Sequence, residues 1–216
     1  MRPLLQLALD NTSLDDAYKT LETGVGEIVD IVECGTILLC AEGKKAVKAL
    51  REKFPNKLLV ADFKISDSGK VMAGMLLDYK PDLITCNASA HIGTVKACLD
   101  EIKNRNLNTK VQIELYGHWD MNDVKLWKEI GVKQLILHHS RDIKGGWSDE
   151  EIELAKKLCD MDMEVTVTGS IEFEDFERFK GIPLYCIIAG RAIRDTDDPK
   201  EMAKKMIDKL KEIWPN

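Results

Sequence analysis

The sequence predicts an α/β protein that folds as a single-domain (β/α)₈ barrel, a TIM barrel, over residues 1–216. Eight short apolar segments alternate with eight helical segments along the chain. This alternation predicts a parallel sheet, and eight units favour a closed barrel over an open sheet. No segment rich in Pro, Gly or Ser separates two domains. Each unit has only about 27 residues, which leaves little room for a second domain.

Composition and charge restrict the class of partner. The apolar fraction is 44%, the charged fraction is 31% and the formal net charge is −6 at pH 7. A negative charge spread along the chain argues against nucleic acid and anionic membranes as partners. We find neither a signal peptide nor a long apolar run. The six cysteines form no CxxC pair, so we expect a reduced, cytoplasmic protein.

The first half of the chain contains four apolar runs of the kind found in strands buried on both faces. The first helix begins at Ser13, which with Asp16 resembles a capping box. Predicted strands cover residues 4–10, 29–33, 58–67 (the last residue lying past the strand end) and 83–87. Predicted helices cover residues 13–25, 42–53, 67–79 and 92–105.

The second half repeats the pattern and includes two short helices. Ser148 precedes three acidic residues and predicts the start of the sixth helix. A short helix is expected near Glu172. Predicted strands cover residues 110–115, 134–138, 163–168 and 184–189. The other predicted helices cover residues 122–130 and 198–213.

The third strand carries the most informative stretch. Its apolar run ends in Asp62, Lys64 and Asp67. Two residues that are two apart on a strand project to the same face, so Asp62 and Lys64 should lie side by side. Catalytic residues of parallel α/β barrels occur at these strand ends. The alternative is a structural ion pair, with Asp67 as a helix N-cap.

Carboxylates end two adjacent predicted strands and suggest a metal site. Glu33 and Asp62 supply hard oxygen ligands, and Mg²⁺ usually takes one or two carboxylates together with water and substrate oxygens. The alternative is that both carboxylates pair with Lys64.

The last two strands predict a phosphate site. Strand seven ends in Thr168, Gly169 and Ser170, and strand eight is followed by Gly190 and Arg191. The loops after strands seven and eight of this barrel bind phosphate through backbone N–H groups. Arg191 adds a bidentate cation.

Three other strand ends carry polar residues that could act on a substrate. They are Asp10, Glu114 and His138, and Arg141 follows the last of them. A strand-end histidine beside an arginine is a candidate proton donor. His139 should face the opposite side and be structural. Trp147 is expected to cover the site from the loop after strand six.

Together these stretches resemble a known group of enzymes. Residues 62–67, Asp-Phe-Lys-Ile-Ser-Asp, fit the Asp-x-Lys-x-x-Asp signature of the orotidine 5′-monophosphate decarboxylase suprafamily. The whole chain is similar to its 3-keto-L-gulonate 6-phosphate decarboxylase branch, through residues 7–11, 32–36, 111–115, 138–142, 165–169 and 188–191. Three departures are Ser170, where the branch usually has glycine, His139, where it has Arg or Gln, and a shorter loop over residues 143–148.

The resemblance implies a mechanism, a cofactor and an assembly. It implies decarboxylation of 3-keto-L-gulonate 6-phosphate to L-xylulose 5-phosphate and CO₂ in L-ascorbate or pentose catabolism, through a metal-stabilised 1,2-enediolate. It also implies a homodimer with active sites at the subunit interface. The implied roles are Mg²⁺ binding by Glu33 and Asp62; catalysis by Lys64, Asp67 (acting in the neighbouring subunit), His138, Arg141 and Glu114; and substrate binding by Asp10, Thr168, Gly169, Ser170, Gly190 and Arg191.

Other functions remain open at this point. The related 3-hexulose 6-phosphate synthases condense formaldehyde with D-ribulose 5-phosphate at the same kind of Mg²⁺ site, and this activity could coexist with decarboxylation. The residue types at Glu114, Arg141, Thr168 and Arg191 favour the decarboxylase. The metal-independent nucleotide decarboxylase is disfavoured by Glu33 and His138. A noncatalytic phosphosugar-binding barrel would need only the phosphate loops.

Overall fold

Eight parallel strands form a closed barrel in the computed structural model, which describes residues 1–140 and 142–215. Each strand pairs with its neighbours in chain order, and the last pairs with the first. This confirms the predicted (β/α)₈ fold. The strands are β1 (Leu4–Leu9), β2 (Ile31–Cys34), β3 (Leu58–Ile65), β4 (Leu83–Asn87), β5 (Lys110–Glu114), β6 (Gln134–His138), β7 (Glu164–Thr168) and β8 (Cys186–Ala189).

Helices surround the barrel and follow every strand in the described chain except β7, which is followed by a 3₁₀ helix over Phe173–Phe179. The helices are α1 (Leu14–Glu22), α2 (Val25–Ile28), α3 (Thr36–Glu42), α4 (Lys44–Lys53), α5 (Gly69–Leu77), α6 (Ile92–Asn104), α7 (Met121–Glu129), α8 (Asp149–Asp160), α9 (Arg191–Arg194) and α10 (Pro199–Ile213).

Glycines set the ends of two predicted helices. The helix expected over residues 13–25 stops before Gly24, whose φ of 82° is left-handed, and α2 begins after it. The helix expected over residues 42–53 begins only after Gly43, which has a φ of 63° and separates α3 from α4. Glycine adopts these backbone angles at no steric cost, so it ends one helix and permits a new direction for the next.

Alternating side chains of each strand face either the helices or the barrel interior. Leu5, Leu7 and Leu9 of β1 belong to the large cluster that packs the helices on the barrel. The residues of alternate register form two small apolar clusters, one with Ile31 and the other with Ala8. This register also contains buried polar residues, which are Gln6, Gln112, Gln134 and Thr166. None of the helices in the described ranges has the length and apolarity needed to cross a membrane.

Candidate active site

A cavity of about 300 Å³ opens at the carboxyl ends of the strands and receives side chains from all eight of them. Eleven of the thirteen residues predicted for the site line it: Asp10, Glu33, Asp62, Lys64, Glu114, His138, Thr168, Gly169, Ser170, Gly190 and Arg191. Asp67 does not line it, and Arg141 lies outside the described residues. The barrel therefore brings nearly all the predicted polar residues together.

The Lys64 ammonium lies between two carboxylates in the wall of this cavity. Its Nζ is 2.8 Å from Oδ2 and 3.0 Å from Oδ1 of Asp62, and it also donates to Oε2 of Glu114. Burial opposes the charge, but the two carboxylates outweigh it and raise the pKa of Lys64. Lys64 is thus a fixed cation. Its partners are Asp62 and Glu114, rather than Asp62 and Glu33.

The β3 backbone is irregular where it carries this lysine. Ala61 lies opposite Ile84, but Ile65 lies opposite Cys86, so β3 bulges relative to β4. Lys64 has a φ of 52° and its backbone N–H donates to Oγ1 of Thr85 at 2.8 Å. A left-handed non-glycine residue at a site is strained and needs local support. The prediction that Asp62 and Lys64 lie side by side is confirmed, although the strand that carries them is not regular.

Two threonines fix the Asp62 carboxylate. Thr36 donates to Oδ2 at 2.7 Å, and Thr85 donates to Oδ1 at 2.8 Å. Burial raises the pKa of Asp62, but the charge and hydrogen bonds of Lys64 and the two hydroxyls outweigh it, and the net pKa is lowered. Asp62 is therefore held as a carboxylate. The sequence analysis assigned no role to either threonine, although Thr36 lies in one of the stretches that carry the family resemblance.

Glu33 is buried without a cationic partner among the described residues. It is 4% exposed, and Nε2 of Gln6 donates to its Oε2 at 2.6 Å. Burial, followed by the charges of Asp62 and Asp10, raises its pKa well above the ordinary value. A cation bound beside Glu33 would therefore stabilise its ionised form.

Asp10, Glu33 and Asp62 place three carboxylates at one cavity, and these hard oxygen donors fit a divalent cation. Within the described ranges, no three His, Cys, Asp or Glu side chains form a metal-binding group by themselves. An ion here would need ligands from water or substrate, which is the usual behaviour of Mg²⁺.

His138 is oriented by Glu114, the last residue of β5, and Tyr116 lies beside it. Its Nδ1 lies 2.7 Å from Oε1 of Glu114, so one carboxylate bonds both His138 and Lys64. The hydroxyl of Tyr116 lies 3.0 Å from Nδ1 and 3.2 Å from Nε2. Glu114 is only 2% exposed. This arrangement places an imidazole at the cavity with a fixed orientation, as a proton donor requires.

The loop after β7 has a backbone that depends on glycine. Gly169 has a φ of 96°, and a Cβ there would lie 1.8 Å from the carbonyl oxygen of His139. Ser170 has a φ of 48°, which explains why a glycine would suit this position.

The loop after β8 carries the cationic side chains. Gly190 precedes α9, which has only four residues, so a strong helix dipole is not expected there. Arg191 lines the cavity, and so does Arg194, which the sequence did not suggest. Nη1 of Arg194 is buried without a hydrogen-bond partner in the described part of the chain.

Asp67 and Trp147 lie away from the cavity. Asp67 is exposed in the loop between β3 and α5, so it faces solvent rather than the cavity. Trp147 is 2% exposed, donates from Nε1 to the carbonyl oxygen of Gly169 at 3.0 Å and packs edge-on against Phe179. The expectation that Trp147 covers the site is wrong; it supports the loop after β7 from behind.

His139 has the structural role that the sequence predicted. It is 4% exposed, and its Nδ1 lies 2.8 Å from Oε1 of Glu151. It does not line the cavity.

Comparison with known proteins gives consistent results. The model of the orotidine 5′-phosphate decarboxylase / HUMPS family matches residues 3–206. The 3-keto-L-gulonate-6-phosphate decarboxylase UlaD of Salmonella paratyphi B is 41% identical over 215 residues, 98% of each chain.

Two solved structures are also similar. KGPDC from Streptococcus mutans, solved as a complex, is 36% identical with a TM-score of 0.94, covering 98% of this chain and 99% of that one. The 3-keto-L-gulonate-6-phosphate decarboxylase of Vibrio cholerae is 38% identical with a TM-score of 0.90, and all of both chains is covered.

Proposed function

Because this chain belongs to the orotidine 5′-phosphate decarboxylase / HUMPS family and is a carboxy-lyase, we propose that it decarboxylates 3-keto-L-gulonate 6-phosphate. The products are CO₂ and L-xylulose 5-phosphate, in L-ascorbate or pentose catabolism in the cytoplasm. The observation that carries the proposal is the Lys64 ammonium clamped by Asp62 and Glu114 at the cavity that Glu33 and the oriented His138 also line.

When a β-keto acid loses CO₂, the electron pair of the broken C–C bond stays on the former α-carbon. It is delocalised onto the keto oxygen, which gives an enediolate. Mg²⁺ held by Glu33 and Asp62 would supply Lewis-acid stabilisation of this charge. Lys64 adds a fixed positive charge in the same wall of the cavity, and its partial burial strengthens its electrostatic interactions. The hydrogen bonds to Asp62 and Glu114 hold the Lys64 ammonium in place, so this side chain needs little reorganisation during the reaction.

Protonation of the enediolate carbon completes the reaction. His138 is held by Glu114 at the cavity, and we assign it, together with Arg141, as the source of that proton. Asp10 and Thr168 line the cavity and bind substrate hydroxyl groups.

The substrate phosphate binds at the loops after β7 and β8. The backbone N–H groups of Gly169, Ser170 and Gly190 and the guanidinium of Arg191 supply donors there. The phosphate is remote from the reacting carbon, so its binding energy can be used to orient the rest of the substrate.

The substrate is tested by comparing two reactions under identical conditions. We expect CO₂ release from 3-keto-L-gulonate 6-phosphate to exceed the condensation of formaldehyde with D-ribulose 5-phosphate by at least about tenfold in kcat/KM, a difference of about 1.4 kcal/mol in activation free energy. The same assay with the unphosphorylated keto acid should show a large rise in KM. Condensation as the faster reaction would identify a 3-hexulose 6-phosphate synthase instead.

We also propose that the enzyme is a homodimer in which Asp67 enters the partner's site. Support comes from Asp67 being exposed and directed away from the cavity of its own subunit. Mixing inactive Asp67→Ala and Lys64→Ala subunits should restore about a quarter of the activity of the unsubstituted protein. About half of the dimers in the mixture are heterodimers, and one of the two sites in each heterodimer is intact. Mixtures that stay inactive although heterodimers form would exclude the shared site.

A further inference from the structure

Gln6 lies beside Glu33 inside the barrel, although no motif of the sequence indicates a role for it. It belongs to β1, lines the cavity and is only 1% exposed. In the register of β1 with β2, Ala8 lies opposite Glu33 and Gln6 lies opposite Ile31. Gln6 is therefore one interior position below Glu33 and contacts it from the side of the barrel core.

The side-chain amide of Gln6 has one orientation that suits both of its neighbours. Its Nε2 lies 2.6 Å from Oε2 of Glu33, and a carboxylate can only accept a hydrogen bond, so the amide nitrogen must face Glu33. The amide oxygen then faces Sγ of Cys186 on β8, a weak donor 3.8 Å away. A flipped amide would place its oxygen against the carboxylate, so the orientation of Gln6 is fixed.

Glu33 depends on this contact more than Asp62 depends on any one of its own. Among the residues that the structure describes, Gln6 is the one side chain that donates a hydrogen bond to the Glu33 carboxylate. The Asp62 carboxylate accepts from three side chains, those of Lys64, Thr36 and Thr85. Loss of one donor would leave Asp62 held by the other two, whereas loss of Gln6 would release Glu33.

We propose that Gln6 is a positioning residue that orients Glu33 toward a divalent cation; this inference rests on the metal site of the proposed function. With Oε2 bonded to Gln6, Oε1 is the oxygen left for the cation. Side chains that hydrogen-bond to metal ligands fix the direction of those ligands, and their loss typically lowers metal affinity by about 10–100-fold.

The test compares Gln6→Met with Gln112→Met. Methionine keeps the length of glutamine but cannot donate a hydrogen bond. Gln112 is a matched control because it lies on β5, is fully buried and has, within the described residues, no hydrogen-bond partner for either polar atom of its side chain. The probe is Mn²⁺, which prefers the same oxygen ligands as Mg²⁺, and its Kd is measured by EPR without substrate.

We expect Gln6→Met to raise the Kd of Mn²⁺ at least about tenfold and to change the EPR spectrum of the bound ion, because Glu33 loses its orientation. Gln112→Met should leave the spectrum unchanged and the Kd within about twofold, since Gln112 shares no partner with Glu33. Gln6→Asn is a second variant that keeps the amide but is one methylene shorter. Its donor no longer reaches Glu33, so it should behave like Gln6→Met.

Four outcomes separate this inference from the proposed function. An unchanged Kd and spectrum in Gln6→Met and Gln6→Asn would overturn the role of Gln6 and leave the proposed decarboxylation intact. An equal loss of affinity in Gln112→Met would also overturn it, because any change in the barrel interior would then suffice. The expected Mn²⁺ results in a protein that releases no CO₂ would overturn only the proposed function. No Mn²⁺ binding by the unsubstituted protein would overturn both.

Discussion

Replacing Glu33 by glutamine should stabilise the metal-free protein while removing its activity. Glu33 is 4% exposed, and its pKa is raised by burial and by the nearby charges of Asp62 and Asp10. Ionised Glu33 therefore opposes folding. Glutamine has the same shape, keeps an oxygen for the hydrogen bond from Gln6 and carries no charge. The substitution should relieve about 1–3 kcal/mol, the cost of a buried charged group that lacks a full set of partners.

The effect should depend on pH in a direction set by the raised pKa. The folded protein binds the Glu33 proton more tightly than the unfolded chain does, so the carboxyl group costs nothing below about pH 4, the ordinary range of glutamate. The cost grows as the pH rises from there to the folded-state pKa and is constant above it. Urea unfolding in EDTA should therefore show a larger gain for Glu33→Gln at about pH 8 than at about pH 5.

Glu114→Gln is the matched control, because Glu114 is equally buried but bonded to Lys64 and His138. Breaking this pair should destabilise the protein by about 3 kcal/mol. Saturating Mg²⁺, at about a hundred times its Kd, should stabilise the unsubstituted protein by about 2.7 kcal/mol and should not stabilise Glu33→Gln. A Glu33→Gln protein that is less stable than the parent at about pH 8 in EDTA would refute this reasoning.

Three further substitutions test the backbone of the site. Gly169→Ala places a Cβ 1.8 Å from the carbonyl oxygen of His139, so it should shift the loop and raise KM at least about tenfold in steady-state assays. Ser170→Gly relieves a φ of 48° and should raise the free energy of unfolding by up to about 1 kcal/mol, measured in urea, with KM unchanged. Thr85→Val removes the acceptor for the backbone N–H of Lys64 and should lower both stability, by about 1–3 kcal/mol, and kcat.

The sequence predicted the features that depend on pattern. Eight apolar runs were enough for the barrel, because a parallel strand buried on both faces is almost entirely apolar. The polar residues at the strand ends then had to meet, since parallel strands of a closed barrel share one carboxyl edge. Glu33, Asp62 and His138 lie at the same cavity for this reason.

Features that depend on a particular contact were not predictable. The bulge at Lys64 is accompanied by a hydrogen bond from its backbone N–H to Thr85, and neither residue alone indicates a left-handed backbone. Tyr116 follows β5, and nothing in the surrounding sequence indicates that its side chain lines the cavity. Trp147 is buried, and its indole N–H donates to the carbonyl oxygen of Gly169. The sequence shows only an aromatic residue in a loop.

The most direct test of the account is CO₂ release from 3-keto-L-gulonate 6-phosphate, measured with Mg²⁺, after EDTA and after Mg²⁺ is restored. We predict release that EDTA abolishes and Mg²⁺ restores in the parent protein, and no release from Glu33→Gln under any of the three conditions. Release that continues in EDTA, or that survives in Glu33→Gln, would contradict the assignment of Glu33 and Asp62 as the metal site.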